Sequence, residues 1–368
     1  MAATNKRNNH VSIAFLCPYP QGGAPSQRFR YEQYLSQLTY RGIAYTVYPF
    51  LDVRTHRILY QPGHTVRKVV GIARGFLRRL VHVVQASQAT FVFIHREATP
   101  IGPPWAEWLL AKVARRRIIY DYDDAIWLTD TSHVNATATL IKWPKKVKAI
   151  CQWSYAISAG NAYLANFAEQ HASNVRVNPT TIDTAHHHNR LQDQSTEQPV
   201  IGWTGSHSTL KYLEPLVPVL QQLEREHTFQ FLVIADRPPP LLLKSLTFAP
   251  WQRETEIDDL LRMHIGLMPL PDDPWAQGKC GFKALQYLAL GIPALVSPVG
   301  VNTHIVQHQV EGYHCITEED WYQCLTEMLT NPSRRSDMGR AGREKVVKHY
   351  SVQSNAENFL SLFGIQKS

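Results

Sequence analysis

A chain of 368 residues, 44% hydrophobic and 18% charged, has the make-up of a soluble globular protein of about two domains and excludes a low-complexity or disordered polypeptide. No run approaches the ~18 consecutive apolar residues of a membrane-spanning helix. The net charge of +8 is unevenly placed: residues 1–190 hold 23 Lys and Arg against 10 Asp and Glu, and residues 191–368 hold 15 against 20.

That asymmetry gives the first half a basic surface suited to an anionic partner, nucleic acid or phospholipid, with plain solvated charge as the alternative. The five cysteines, at 17, 151, 280, 315 and 324, form no Cys-x-x-Cys pair, which fits reduced thiols in a cytoplasm. Lys6 and Arg7 precede the apolar run "VSIAFLC", but the run has seven residues and stops at "PYP", so it is predicted as a first buried strand.

From there strand and helix alternate. "VSIAFLCPY" leads into the Gly-rich loop "QGGAPSQ" and a predicted amphipathic helix "RFRYEQYLSQLTYRG". "IAYTVYPF" and "FVFIHRE" are further strands, followed by a helix "PPWAEWLLAKVARR" with proline in its first turn. "RIIYDYDDAIW" is a strand running into an acidic loop, and "YAISAG" and "NVRVNPT" flank the helix "NAYLANFAEQH". Alternation of this kind means a parallel, doubly wound sheet. Residues 186–198 lie in a polar, aperiodic stretch and are predicted as a linker. A second alternation follows, with strands "PVIGWTGS", "FQFLVIAD", "HIGLMPL" and "PALVS", and a largely helical tail. The predicted division is therefore residues 1–185, the linker 186–198, residues 199–350, and a C-terminal helix over 351–368 that packs back towards the first domain.

In such sheets ligands bind at the carboxyl ends of strands, where helix N-termini attract phosphate. Three loops qualify. Gly22 and Gly23 allow close backbone approach, although this is not a dinucleotide fingerprint. Gly205 and Ser206, in "GWTGSHST", form a potential cradle of amides before Lys211, with simple helix capping as the alternative. The third is "GKCGFKALQYLALGIP", with Lys279, Cys280, Gly281 and Phe282 at its turn. A helix beginning near Gly281 would turn Phe282, Leu285 and Leu288 inward and leave Lys279, Lys283 and Gln286 on the opposite stripe. Lysines at a helix N-terminus oppose the dipole, a cost that a bound diphosphate would reverse.

Taken together, "PYPQGGAPSQRFR", "IIYDYDDAIW", "NPTTID", "IGWTGSHSTLKYL" and "MPLPDDPWAQGKCGFKALQYLALGIPALVSPVGVN" resemble the retaining glycosyltransferases of family 4, in this order along nearly the whole chain. The resemblance implies an α/β protein of the GT-B type, two Rossmann-like doubly wound parallel-sheet domains facing each other across a crevice. It also implies transfer of a sugar from a nucleotide-diphosphate donor, held mainly by the C-terminal domain, to a hydroxyl acceptor on the N-terminal domain. Retention at the anomeric carbon, no metal or other cofactor and no nucleic-acid partner are further implications. Many members use lipid-linked acceptors at the inner face of the membrane, and "TVRKVVGIARGFLRRLVHVV", with Arg67, Lys68, Arg74, Arg78 and Arg79, is a basic amphipathic segment suited to such a surface.

The chain departs from the pattern where relatives keep two glutamates seven residues apart: Gly278 and Gln286 stand there, and Asp272, Asp273 or Lys279 are possible replacements for the first. Trp203 stands where an arginine is usual. Lys211 matches the phosphate-binding lysine, and Lys283 is nominated to restore the lost positive charge. In "DYDD", Asp123 and Asp124 are expected to contact substrate hydroxyls, with metal binding or loop capping as alternatives. His95 is expected to be structural, and the run His186–His188 falls in the linker and is not expected to bind metal. The resemblance leaves two other functions open: a nucleotide-sugar epimerase and a silent nucleotide- or glycan-binding subunit.

Overall fold

The computed structural model describes residues 11–59, 61, 63–128 and 143–365. They fall into two units, residues 1–179 with 356–368, and residues 180–355.

The first unit is built on six parallel strands: β1 (Ser12–Cys17), β2 (Ala44–Pro49), β3 (Phe91–His95), β4 (Arg117–Tyr122), β5 (Ala156–Ala159) and β6 (Val175–Val177), in the order β2-β1-β3-β4-β5-β6. β3 is buried at every position, and β1 and β4 at all but their first. Covering both faces of a parallel sheet requires such continuously buried, mostly apolar strands. The helix Thr65–Ala86 packs so closely that a Cβ at Gly71 would lie 2.4 Å from Thr55 and one at Gly75 2.7 Å from the Phe50 ring. The same face of that helix buries Arg79, whose guanidinium donates to the carbonyls of Tyr48 (2.9 Å) and Cys17 (3.0 Å) at the ends of β2 and β1. Burial lowers the Arg79 pKa to about 10.

The single helix predicted over 28–42 is broken into Pro25–Arg28, a 3-10 turn Glu32–Tyr34 and Leu35–Tyr40. Tertiary bonds override the local pattern: Gln27 is fully buried and ties both backbone groups of Tyr19, while Arg30 is drawn to Asp121 in β4. The helix predicted after β3 also changes pitch, from Trp105–Trp108 to a π turn at Leu109–Val113. Residues 356–365 close this unit, with Phe359 stacked 4.3 Å from Tyr34 and Phe363 against Phe15, Phe91 and Phe93.

The second unit holds β7 (Val200–Thr204), β8 (Gln230–Ala235), β9 (Leu246–Pro250), β10 (Ile265–Met268), β11 (Ala294–Val296) and β12 (Gly312–His314), all parallel, in the order β12-β11-β10-β7-β8-β9. The sequence pattern misses β9 and β12. Both lie at sheet edges: β9 is half-exposed over most of its five residues, and β12 has only three, too few for a continuous apolar signature. Residues 186–198 have no regular structure, but they belong to this unit. Gln192 N donates to Leu290 O (2.8 Å), Gln194 Nε2 to Gly291 O (3.1 Å), and Arg343 to His188 O (2.6 Å). No helix among the described residues is long and apolar enough to cross a membrane.

Candidate functional site

The strand order of the second sheet, counted from its first strand, reverses between β7 and β10. At such a switch point the loops after the two strands diverge and leave a crevice at their carboxyl ends. The loop after β7 carries Gly205 and Ser206; the loop after β10 leads to the helix Phe282–Ala289.

Gly281 caps that helix in the left-handed conformation, at φ 67°. A Cβ there would be strained and would lie 2.1 Å from Ile305 Cδ1, so only glycine fits. Lys283, in the first turn, places its ammonium 5.3 Å from the centroid of the Trp203 indole, at the end of β7. Lys279 lies in the preceding loop, 5.0 Å from the Trp275 ring. The two cations therefore each rest on an aromatic face. Lys211, in the 3-10 helix His207–Leu216, lies 5.4 Å from the ring of Tyr212.

Several expectations change here. The helix starts after Lys279, and Gln286 is only 2% exposed, buried with Ala284, Leu285 and Tyr287, so the expected stripe of Lys279, Lys283 and Gln286 does not form. Phe282, expected to face inward, is half-buried, and Cys280 is buried. The helix is enclosed all round after its first turn because β10 and β11 cover one side and the helix Pro332–Lys345 another. Gly205 and Ser206 do not offer an open cradle: Gly205 N donates to Ile234 O (3.0 Å) and Ser206 N to Thr209 Oγ1 (3.2 Å). What glycine provides at 205 is room, since a Cβ would lie 2.3 Å from the Trp203 ring. Of the three proposed stand-ins for the missing glutamate, Asp273 caps the short helix Pro274–Gln277 through Ala276 N (2.7 Å), Asp272 accepts from Gln277 (2.6 Å), and Lys279 lies over Trp275.

In the first unit the sheet reverses between β1 and β3. The loop after β1 holds Gly22 and Gly23, whose amides donate to Glu32 Oε2 and Pro20 O, both at 2.8 Å. Gln27 also donates to Glu32 (3.1 Å), so this loop is fixed from within.

The acidic loop after β4 divides sharply. Asp121 is fully buried, 2.5 Å from Arg30 and 2.8 Å from His95 Nδ1, and it accepts from Ser158 (2.6 Å). Burial alone would raise its pKa, but the Arg30 charge and the His95 hydrogen bond outweigh that and hold the carboxyl well below the usual range. Because an ionised carboxylate only accepts, His95 Nδ1 carries the proton; its Nε2 is buried with no partner among the described residues. Asp123 and Asp124 both pair with Arg96, Asp123 at 2.8 Å, and Arg96 itself adopts φ 61°. Sequence reading nominated the two aspartates and missed Arg96 and Arg30, because a lone arginine carries no motif and its partners lie 27 and 91 residues away. The described residues contain no group of three or more His, Cys, Asp or Glu arranged to hold a metal ion.

Comparison with known proteins bears on the segment that contains Gly281 and Lys283. Residues 190–345 match the family described as glycosyl transferases group 1. No curated protein matches the sequence. Among solved structures, sucrose-phosphate synthase from Thermosynechococcus elongatus superposes with a TM-score of 0.71 at 14% identity, covering 96% of this chain and 98% of the other. A glycosyltransferase from Rickettsia africae gives a TM-score of 0.67 at 12% identity over 96% and 98%. Anabaena HepE, in complex with UDP and glucose, gives 0.64 at 12% identity over 96% and 100%. At these identities the likeness is one of fold: this chain is an α/β protein with the two Rossmann-like parallel sheets of the GT-B glycosyltransferases.

Proposed function

We propose that this protein is a glycosyltransferase that moves a sugar from a nucleotide-diphosphate donor to a hydroxyl acceptor with retention of anomeric configuration. The observation that carries the reading is the meeting of Lys283, on a glycine-capped helix N-terminus, with the end of β7 at the switch point of the group 1 segment. A diphosphate at this helix N-terminus would be favoured by the dipole and by the lysine ammonium together. Lys283, Lys279 and Lys211 stabilise the charge that develops on the leaving diphosphate, which is the largest demand of the reaction. The departing phosphate oxygen can itself take the acceptor proton on the same face, so the step asks for no protein base. Asp123 and Asp124, held by Arg96, orient hydroxyl groups of the reacting partners. No metal ion is invoked for any of these roles. Binding of UDP and glucose by HepE supports a nucleotide-sugar donor.

A thermal-shift screen against UDP, GDP, ADP, TDP and CMP derivatives tests donor binding. One of the diphosphates is expected to raise the melting temperature, and nucleoside diphosphate is expected to be released from the cognate sugar nucleotide only with acceptor present. Release without acceptor would identify an epimerase or hydrolase. No shift across the panel would favour a silent subunit, a reading supported by Gly278 and by the engaged amides of Gly205 and Ser206. NMR of the product's anomeric proton decides retention.

A further inference from the structure

Beside the lysines, the carboxyl edge of the second sheet holds a polar pair with no part in the transfer step described above. Register pairs Thr204 of β7 with Ile234 of β8, and Ala235 of β8 with Pro250 of β9, so the loops after these three strands start side by side. Asp236, the first residue after β8, holds His207 twice: Oδ1 accepts from its backbone N (2.5 Å) and Oδ2 lies 2.6 Å from its Nδ1. The two side chains are 39% and 41% exposed. A carboxylate only accepts, so Nδ1 carries the proton, and Nε2 on the far side of the neutral ring is an acceptor. One strand further on, Trp251 follows β9. Its amide donates to Ala235 O (2.9 Å), its indole Nε1 to Glu256 (3.2 Å), and its ring is half-buried.

The order along this edge is therefore a lysine over Trp203 at the switch point, a histidine–carboxylate pair between β7 and β8, and an indole after β9. Neighbouring strands lie about 4.8 Å apart, so each step along the edge is of that size. A nucleotide laid along it from the diphosphate sets its ribose at the next step and its base at the one after, beside an aromatic ring. We infer that His207 and Asp236 read the ribose diol of the donor, the 2′-hydroxyl included, and so make the protein selective for ribonucleotides over 2′-deoxyribonucleotides. A hydroxyl suits the pair because it can donate to Nε2 or to a remaining lone pair of Asp236, whereas the carboxylate repels a phosphate. In the opposite direction the polar side chains after β11 are withdrawn: Ser297 (9% exposed) accepts from Leu270 N, and Asn302 (1%) donates to Ser297 O. The inference rests on the nucleotide-sugar reading and adds to it residues that do not touch the leaving group.

Titration calorimetry with matched pairs tests it: UDP and 2′-deoxy-UDP, GDP and 2′-deoxy-GDP, ADP and 2′-deoxy-ADP. The wild type is expected to bind the ribose form of its nucleotide about tenfold more tightly than the deoxy form, the effect of one hydrogen bond. His207→Ala should bring that ratio close to one by weakening the ribose form alone. Its backbone N–H keeps the bond to Asp236, so the variant should melt like the wild type. His207→Phe, which keeps a ring without nitrogen acceptors, should do the same. Equal affinities within the pair that binds overturn the inference and leave the proposed function standing, as does tight binding of thymidine diphosphate, itself a 2′-deoxynucleotide. Variants that weaken both forms alike overturn it too, because His207 then only braces the loop. Binding of no nucleotide at all removes the proposed function and this inference together.

Discussion

Lys283 lies over the indole of Trp203, its ammonium 5.3 Å from the ring centroid, and so joins the start of one helix to the end of a strand 80 positions earlier. Trp203 is itself 1% exposed and is fitted against Gly205. The cation is thereby held where two loops diverge.

Lys283→Ala should separate binding from folding. A half-exposed cation–π contact contributes about 0.5–1 kcal/mol, so the melting temperature should move by a few degrees at most. Affinity for the nucleotide diphosphate and turnover should each fall about tenfold or more if the lysine meets the phosphates. Titration calorimetry and steady-state rates on the same preparation check both. Unchanged turnover and affinity would remove Lys283 from the site.

Gly281→Ala and Gly291→Ala form a matched pair, with φ of 67° and 71°. At Gly291 the nearest atom to a new Cβ is 3.5 Å away, so the cost is that of the left-handed backbone alone, about 1–2 kcal/mol. At Gly281 the clash with Ile305 adds to it, and a loss of about 3 kcal/mol or more is expected. Urea unfolding of the two variants gives the comparison; equal losses would contradict the packing described.

Asp121→Asn leaves the buried Arg30 guanidinium without its counter-charge. Removing one partner of a fully buried pair costs about 3–5 kcal/mol, far more than an exposed pair contributes. Asp121→Leu with Arg30→Met should recover part of that loss, as read by chemical denaturation. The pH profile has a definite sign. Because the folded pKa is depressed, the wild-type contribution is complete above the ordinary carboxylate value and is lost only as pH falls below it through the folded value.

His264 predicts a second and milder pH dependence. Burial, with the Arg335 charge behind it, lowers its pKa to about 4, and Nδ1 accepts from Val200 N (3.1 Å). A depressed histidine stabilises fully above its ordinary pKa of 6.5, and the contribution is lost as pH falls towards about 4. Melting temperature should therefore decline over that window, and His264→Asn should flatten this part of the curve.

The sequence by itself determined the class of fold. Long buried runs such as "FVFI" and "FLVIA" are apolar at every position because a parallel sheet is covered on both faces, and that signal is local. It also located the loops after β1, β4, β7 and β10, since turn residues follow each strand directly. Only the tertiary structure decided what the polar residues in those loops do. Asp121 and Asp123 are two positions apart in one motif, yet one is sealed in the core by Arg30 and the other is bound at the loop by Arg96. Gly205 and Gly281 look alike in sequence, but one makes room for an indole and the other supplies a left-handed cap. Gln286 was expected at the surface by helical spacing and is buried, because the elements around its helix come from distant parts of the chain. Periodicity reports which face of an element is apolar. It does not report which neighbour covers that face, nor which polar side chain a partner tens of residues away will claim.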